Sequence, residues 1–406
     1  MFNPETIKQQ FPIFKQKTPL GQDLVYLDNA ATCQKPLAVI DRITDFYAKE
    51  YGTVGRSSYW PATETTKNYN EVRGKVQRLL NAAHEDEIVF TSGTTDAINK
   101  VANSFLRPRL NAGDVVIISE MEHHANLIPW QQICTEKGAL LKVIPILDSG
   151  ELDYEALESL LTNKVKLLAV TGVSNALGIK NDLLRIIKAA KGFEVPVFID
   201  AAQSVAHSEI DVVALDCDFL VFSGHKIYGP TGVGVLFGKR ERLREMVPLS
   251  YGGGIVKEVT IEAASFQQSP NKHEAGTPNI AGVIGLGAAV DFINEIGYAE
   301  ISAHTKAITG YALEQLKAME GIQVIGDVDD RAPVISFVME GVHAHDLSTF
   351  LNEKGICIRA GHHCAQPLMH RLNLMATARI SFAIYNTKAD IDALIIALKE
   401  TQAFLS

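Results

Sequence analysis

The feature that most constrains the fold is a series of short apolar runs between residues 86 and 240, which alternate with helical patterns. Most of these runs are continuously apolar, as expected for strands that are covered on both faces of a sheet. Strands that alternate with helices are typical of an α/β domain with a mainly parallel sheet. The sequence predicts a seven-stranded sheet with strands near residues 88–90, 115–118, 140–146, 167–170, 195–199, 219–222 and 233–237.

A second, smaller α+β domain is predicted after residue 296, where the pattern changes. A long apolar helix over 281–296 would link the two parts, and apolar residues at helical spacing near the end of the chain predict a final amphipathic helix. A chain of 406 residues is longer than one hydrophobic core usually supports. We therefore predict a large domain of residues 26–295 and a small domain made of residues 1–25 and 296–406, with strands near 333–337, 356–359 and 380–382.

The composition is that of an ordinary globular protein, with 47% hydrophobic and 21% charged residues. The net charge is -9 and there is no basic run, so nucleic-acid and anionic-membrane partners are not expected. The five cysteines show no C-x-x-C spacing, which argues against a structural metal site and favours a reducing compartment. With neither a secretory signal pattern nor a membrane-spanning run, the expected location is the cytoplasm.

Lys226 lies in the turn Ser223-Gly224-His225-Lys226, directly after the predicted strand 219–222. Most lysines are solvated surface groups, but an amine whose charge is suppressed by burial reacts readily with carbonyl compounds. Asp200 ends the preceding predicted strand. A lysine and an acid at neighbouring strand ends are the layout of a pyridoxal 5′-phosphate (PLP) site, in which the lysine bonds to the cofactor and the acid pairs with its pyridine nitrogen.

Further polar residues follow the predicted strands and would meet at the same edge of the sheet. The turn before the helix that starts near Thr94 is a candidate phosphate seat, although a simple helix cap is the commoner use of such a turn. A histidine with a pKa near neutrality would stack on the pyridine ring and transfer protons. The candidates are Thr94, Thr95, Ser223 and His225 for phosphate, His123 for the ring, and Asn175 and Gln203 for the ring hydroxyl.

The segment Arg359-Ala360-Gly361-His362-His363-Cys364 carries candidates for substrate binding and for a nucleophile. Arg359 and Arg379 offer planar forks for a substrate carboxylate. Cys364, in a glycine-containing loop near two histidines, is a candidate reactive thiol, and the alternative is an inert core cysteine. A metal role is not predicted, because one side of a tight loop does not close a tetrahedral site.

Taken together, these segments resemble the group II, SUF-type cysteine desulfurases, which are fold type I PLP enzymes. They run in order along nearly the whole chain. The pieces that carry the resemblance are Leu27-Asp28-Asn29-Ala30-Ala31-Thr32, Gly93-Thr94-Thr95, Glu122-His123-His124-Ala125-Asn126, Asp200-Ala201-Ala202-Gln203, Ser223-Gly224-His225-Lys226, Glu274-Ala275-Gly276-Thr277-Pro278 and the segment from Arg359 to Pro367.

The resemblance implies a cytoplasmic homodimer that removes sulfur from L-cysteine, gives L-alanine, and leaves a persulfide on Cys364 for an acceptor protein of the SUF system. Lys226 would bond to the cofactor and remove the α-proton, and Arg379 would bind the substrate carboxylate with Arg359 and Asn175 nearby. Thr277 would reach the cofactor phosphate of the partner subunit. Selenocysteine lyase activity is implied as a second reaction.

A departure from the family pattern and several rival functions leave alternatives open. The family segment Asn-Val-His-Arg-Gly is replaced by Thr53-Val54-Gly55-Arg56-Ser57, so its histidine is missing. An aminotransferase or a kynureninase-like lyase would use much the same lysine and aspartate, and a non-catalytic assembly scaffold is the alternative outside the enzymes. His343 and His345 are interpreted as solvated loop residues, with an acceptor-protein surface as the less favoured interpretation.

Overall fold

A computed structural model describes residues 2–55 and 57–405. Its secondary structure places the candidate site residues at strand ends, as the sequence predicts. The strands in chain order are β1 (Val25–Tyr26), β2 (Ile88–Thr91), β3 (Val115–Ser119), β4 (Leu140–Ile144), β5 (Val165–Thr171), β6 (Val197–Asp200), β7 (Phe219–Ser223), β8 (Gly234–Gly238), β9 (Val256–Val259), β10 (Ala264–Phe266), β11 (Ile322–Ile325), β12 (Val334–Met339), β13 (Ile356–Cys357), β14 (Arg359–Gly361) and β15 (Thr377–Ser381).

The α-helices surround these strands and include the two long helices expected near residue 281 and at the end of the chain. They are α1 (Pro4–Lys8), α2 (Leu37–Asp45), α3 (Trp60–Leu79), α4 (Thr94–Val101), α5 (Ile128–Lys137), α6 (Tyr154–Leu160), α7 (Leu183–Lys191), α8 (Val212–Leu215), α9 (Arg240–Glu245), α10 (Ile280–Ile296), α11 (Tyr298–Lys317), α12 (Ala344–Glu353), α13 (Gln366–Arg371) and α14 (Lys388–Leu405).

The large sheet has seven strands in the order β2-β8-β7-β6-β5-β3-β4, which confirms the predicted mainly parallel α/β fold. Only β8 runs antiparallel to its neighbours β2 and β7. Two strand ends differ from the prediction because of proline: β4 stops before Pro145, and β6 starts after Pro196, since proline donates no ladder hydrogen bond. Separate apolar clusters cover the two faces of the sheet, so its strands are buried on both sides.

The smaller sheet is antiparallel, with the order β11-β12-β15-β14. It packs against α11 and α12, and α14 belongs to the same apolar cluster. The predicted strand 356–359 is divided at Ile358: β13 pairs with β1, and β14 pairs with β15. The β9–β10 hairpin was not predicted and is largely exposed. Among the described residues no single helix is long and apolar enough to cross a membrane, and α10 with α11 passes that test only as a pair bent by 79°.

Phe11 joins the beginning of the chain to both parts of the structure. Its ring makes edge contacts with Tyr228 and Phe292 of the large α/β part, and with Tyr385 near the smaller sheet. All four side chains are almost fully buried. The N-terminal segment therefore packs against both parts of the structure, whereas the sequence assigned it to the small domain.

Replacing Phe11 by Ala should lower the free energy of unfolding by about 3–5 kcal/mol, because it leaves a cavity in this aromatic cluster. Urea unfolding followed by circular dichroism measures the change. The matched control is Phe404→Ala, at a side chain that is 75% exposed, which should change stability by less than about 0.5 kcal/mol. Equal effects of the two substitutions would contradict a stabilising role of Phe11 in this cluster.

Candidate active site

A cavity of about 220 Å³ lies at the carboxyl edge of the large sheet, where the loops after β3, β5, β6 and β7 meet the loop after β14. Most of the residues predicted from strand ends line it together. The lining residues are Ala30, Ala31, Thr94, Thr95, His123, Ala125, Thr171, Val173, Asn175, Asp200, Ala202, Gln203, Ser223, His225, Lys226, Arg359, His363, Cys364 and Arg379.

Lys226 projects into this cavity from the short 3₁₀ turn that follows β7. Burial lowers the pKa of its amine, and the guanidinium groups of Arg379 and Arg359 act in the same direction. Asp200 opposes this shift, since its negative charge favours the protonated amine. The environment therefore favours a more reactive amine than a solvated lysine has.

The turn that carries Lys226 is held by the segment around residue 33. Cys33 Sγ lies 3.0 Å from the carbonyl oxygen of Lys226 and donates to it. Lys35 Nζ and Cys33 N both donate to the carbonyl oxygen of His225, at 2.9 and 3.0 Å. Burial lowers the pKa of Lys35 to about 8. These contacts fix the backbone that carries the Lys226 amine. They were not predicted from the sequence.

Asp200 ends β6 and is 4% exposed. Burial raises the pKa of its carboxyl group, while a hydrogen bond from Ala202 N and the nearby Lys226 amine lower it. A second cation in the cavity would lower it further and would be held by the carboxylate. Gln203 also lines the cavity, with its Nε2 donating to the carbonyl oxygen of Ala30 at 2.7 Å.

The start of α4 forms the end of the cavity where hydroxyls and backbone N–H groups gather. Thr94 N donates to Ser223 Oγ at 2.8 Å, and the two hydroxyls of Thr94 and Ser223 are also 2.8 Å apart. At Gly234 a Cβ atom would lie 2.5 Å from the Gly93 backbone, so β8 needs glycine there to approach this turn. The N-terminus of this eight-residue helix, with its exposed Thr95, is suited to an anion.

His123 is positioned by its own backbone turn, where its Nδ1 accepts a hydrogen bond from Ala125 N at 3.0 Å. Burial and the positive charge of Lys226 lower the pKa of His123 to about 4. This pKa lies below the predicted value near neutrality, because burial and the neighbouring cations both disfavour the protonated ring. At neutral pH the ring is uncharged, and its proton lies on Nε2. Next to it, burial raises the pKa of Glu122 to about 8.

The Cys364 loop has an unusual backbone, since both His363 and Cys364 have φ of +54°. For residues other than glycine this conformation costs about 1–2 kcal/mol each. The loop is held in place by neighbouring groups: His124 N donates to the Cys364 carbonyl at 2.7 Å, and Asn175 Nδ2 donates to the His363 carbonyl at 2.6 Å. The side chain of Cys364 is exposed and lines the cavity that contains Lys226. An inert core position is therefore excluded.

Arg379 and Arg359 reach the same cavity from β15 and β14. Arg379 is 2% exposed, and its Nη1 donates to the Asn175 carbonyl at 2.9 Å. Asp28 accepts from Arg379 Nη2 at 2.9 Å and from Arg359 Nε at 3.1 Å. Asp28 belongs to the segment 27–32, which carries part of the resemblance, but the sequence predicts no role for it.

The polar atoms left without partners test whether a cofactor fits. Within the described part of the chain, Asn175 Oδ1, Arg379 Nε and His363 Nδ1 are buried and make no hydrogen bond. All three residues line the cavity, together with an amine at Lys226 and the anion-binding turn at Thr94. Buried polar groups usually find partners, so the cavity is suited to a polar ligand that hydrogen-bonds to these atoms. The Thr94 turn suits an anionic group of that ligand, and the Lys226 amine suits a carbonyl group.

Thr277 is the one predicted cofactor-binding residue outside this set: it is exposed and does not line the cavity. Gly55 is also exposed, with φ of +101° and with no atom near the position of a Cβ. A histidine there would fit in space but would be strained in the backbone. Arg56 lies outside the described residues. The predicted roles of the individual site residues stay predictions.

The comparisons with known proteins agree with this geometry. The model of the aminotransferase class-V family matches residues 25–394. A probable cysteine desulfurase of Halalkalibacterium halodurans is 45% identical, over 99% of this chain and 98% of the relative. The cysteine desulfurase of Dickeya dadantii is 45% identical, over 99% of this chain and 97% of its own length.

Solved structures match equally well. The cysteine desulfurase CsdA of Escherichia coli, in an S-sulfonic acid form, superposes with a TM-score of 0.93 and is 41% identical, covering 100% of both chains. A cysteine desulfurase of Thermococcus onnurineus, solved in the apo state, has a TM-score of 0.94 and 34% identity, covering 99% of this chain and 98% of its own. The fold is therefore shared over the full length.

The lowered pKa of the buried His363 ring predicts how stability depends on pH. Burial and Arg379 lower the pKa of His363 to about 3, so on unfolding this ring takes up a proton wherever the pH lies below about 6.5 and above 3. Stability should fall as the pH falls through this window. His363→Gln should reduce the proton uptake on unfolding by about one between pH 5 and 6, or about 1.2 kcal/mol per pH unit.

The measurement is the urea midpoint of the parent and of His363→Gln at half-unit pH steps. Between pH 7.5 and 8.5, where the unfolded histidine is neutral, the two slopes should coincide, which serves as an internal control. Equal slopes at pH 5 to 6 would contradict a neutral, buried His363.

Proposed function

The chain belongs to the aminotransferase class-V family, and we propose that it acts as a PLP-dependent cysteine desulfurase. The observation that carries this proposal is that an exposed cysteine thiol at Cys364 shares one cavity with the amine of Lys226. In the proposed reaction, L-cysteine and the Cys364 thiol give L-alanine and a persulfide on Cys364.

The residues present fit PLP. Lys226 would form the covalent link, Asp200 would hold a proton at the pyridine nitrogen, and His123 would lie against the ring. Thr94, Thr95, Ser223 and His225 would bind the phosphate, and Gln203 and Asn175 would face the ring hydroxyl. When bound, PLP supplies a carbonyl carbon for amines and a ring that accepts electrons from the substrate.

The other steps belong to side chains of the protein. Arg379, with one unpaired N–H buried at the cavity, orients the substrate carboxylate. The Lys226 amine, whose pKa is lowered by burial, removes the α-proton and holds it at Nζ. The Cys364 thiolate attacks the substrate sulfur; the S–S bond forms as the carbon–sulfur bond breaks, and the substrate carbon receives a proton to give alanine.

The thiol separates this function from the alternatives. An aminotransferase or a kynureninase-like lyase would use the lysine and the aspartate, but such chemistry gives no reason to fix a cysteine in a strained loop at the cavity. A non-catalytic scaffold would not need a depressed lysine pKa beside a buried acid. Relatives that are about 45% identical over the full length are named cysteine desulfurases.

Replacing Cys364 by Ala should leave the cofactor bound, with its visible absorbance unchanged, but should reduce alanine release from L-cysteine by at least about 100-fold, because the nucleophile is gone. The matched control is Cys357→Ala at a half-buried thiol that does not line the cavity. It should keep alanine release within about twofold. Persulfide formation by Cys364→Ala at the parental rate would overturn the thiol role.

Selenocysteine gives a second measurement on the same variant. Selenium leaves carbon more readily than sulfur, so the thiol is less needed for it. Alanine release from selenocysteine should fall far less than release from cysteine. Equal losses with both substrates would indicate that Cys364 supports the cavity rather than the transfer of sulfur.

Homodimerisation with shared sites is part of the proposal. It is supported by the position of Thr277, which is exposed and lies away from the cavity of its own chain. The nearby β9–β10 hairpin exposes Ile261 completely and Val259 by 67%. A persulfide acceptor of the SUF type and a cytoplasmic location complete the proposal. The stacked, exposed rings of His343 and His345, 5.4 Å apart, are a candidate acceptor contact.

The sharing of sites can be tested by mixing two defective proteins. Thr277→Val should release the cofactor about tenfold faster than the parent, because a hydrogen bond to the phosphate is lost. Lys226→Ala should hold no covalent cofactor. A mixed dimer contains one site with both residues intact, and that site should release cofactor at the parental rate. Failure to restore this rate in verified mixed dimers would contradict a shared site.

A further inference from the structure

Glu122 is a buried carboxyl group at the start of the turn that carries His123. Its side chain belongs to a residue that is 1% exposed, and it accepts three hydrogen bonds. Ser119 Oγ and Thr171 N donate to Oε1, the latter at 2.8 Å, and Asn126 Nδ2 donates to Oε2 at 2.6 Å. These donors lie at the end of β3, at the end of β5 and in the 3₁₀ turn. One side chain therefore joins two strands of the large sheet to the turn.

The same turn contacts both the cavity and the Cys364 loop. The His123 ring lines the cavity. The next residue, His124, donates from its backbone N to the Cys364 carbonyl at 2.7 Å, and its Nε2 accepts from Gln366 N at 3.1 Å. A displacement of the turn would therefore move a ring in the cavity and would also release two bonds that hold the loop.

The hydrogen-bond partners of Glu122 require an acceptor at both of its oxygens. Asn126 Oδ1 accepts from Trp130 Nε1 at 2.9 Å, so the amide of Asn126 must present its Nδ2 to Glu122. On the other side, Thr171 N can only donate. A carboxyl group satisfies both donors in either protonation state, because a proton on Oε1 would itself donate to Ser119 Oγ.

Glutamine has nearly the same shape as glutamate but does not meet this requirement. Its amide would turn an N–H either toward Thr171 N or toward Asn126 Nδ2, and two donors would then face each other. A buried donor without an acceptor is costly, and the turn relieves that cost by moving away from the sheet. Position 122 thus selects for a carboxyl group and not merely for a side chain of the right size.

We propose that Glu122 is a positioning residue for sulfur transfer that holds the turn of His123 and His124 against the large sheet. Through this turn it sets the place of the His123 ring and of the Cys364 loop. The inference deepens the proposed function and rests on it for the roles of those two residues. Glu122 does not line the cavity, so it acts through its neighbours and is not a catalytic residue.

The first test is Glu122→Gln in the cofactor-loaded enzyme. Alanine release at saturating L-cysteine should fall by about tenfold or more, because the reacting groups are displaced. Amide hydrogen–deuterium exchange of the segment 362–366, read by mass spectrometry, should become about tenfold faster. The circular dichroism of the cofactor band should also decrease, since the His123 ring no longer has one position. A residue that only stabilises the fold would lower the urea midpoint and leave these three measurements at their parental values.

A compensating substitution tests the hydrogen bonds themselves. In Glu122→Gln combined with Asn126→Asp, the new amide donates to the new carboxylate, which also accepts from Trp130 Nε1. The oxygen of the new glutamine still accepts from Thr171 N. Every bond is then restored with donor and acceptor exchanged, so alanine release and loop exchange should return to within about threefold of the parent. Coupling of this kind is expected only for residues that act on each other.

Glu120→Gln is the matched control, two residues earlier in the chain. Glu120 Oε2 accepts from Ile146 N at 3.0 Å, and its side chain is 20% exposed. A glutamine oxygen keeps that bond, so alanine release should stay within about twofold of the parent and loop exchange should not change.

Ser119→Ala keeps the test decisive if Glu122→Gln does not fold, because it removes only one of the three donors. It should speed exchange of the segment 362–366 by about threefold. The proposal is overturned if the folded variants leave loop exchange and cofactor dichroism unchanged, or if the compensating pair does not recover them. Neither measurement requires sulfur transfer, so failure of the desulfurase function would appear separately, as a lack of alanine release in the parent.

Discussion

The hydrogen bonds between the large sheet and the Cys364 loop are the contacts on which the site depends. His124 N and the Asn175 side chain come from loops after β3 and β5, and they hold the carbonyl groups of Cys364 and His363. These bonds compensate for two consecutive residues at positive φ, and they fix a thiol from the smaller part of the structure against a lysine from the larger part. Without them the two reactive groups would belong to separate surfaces.

The turn that carries Lys226 is also held by hydrogen bonds to its backbone carbonyl groups. Cys33 and Lys35 bind the carbonyl groups of Lys226 and His225, and they come from the chain segment that also carries Asp28. This segment therefore contacts the lysine turn at one end and both arginines at the other. A single stretch of fewer than ten residues thus positions the Lys226 turn relative to the two arginines, although none of its side chains was assigned a chemical role from the sequence.

Much of the fold and most of the cavity could be predicted because they follow from local patterns. Continuous apolar runs predicted every strand of the large sheet. The position of polar residues just after these runs predicted that Thr94, His123, Asp200 and Ser223 would line one cavity. The role of Asp28 had no such signal, since it is created by contacts with residues more than 300 positions away. The same holds for Phe11, whose partners lie in three distant segments. It also holds for the pKa of His123, which is lowered by burial and by cations that only folding brings near the ring.

The charges of the cavity form a consistent arrangement in a protein whose net charge is -9. Because its histidines are neutral, the fixed positive charge of the cavity comes from Arg379 and Arg359, and burial lowers the pKa values of the nearby amines of Lys226 and Lys35. Two buried or half-buried carboxylates, Asp200 and Asp28, offset part of that charge at defined points. An anionic ligand is then attracted by these local groups and not by the protein as a whole. The two acids are separated: Asp200 lies near the Lys226 amine, whereas Asp28 binds the two arginines.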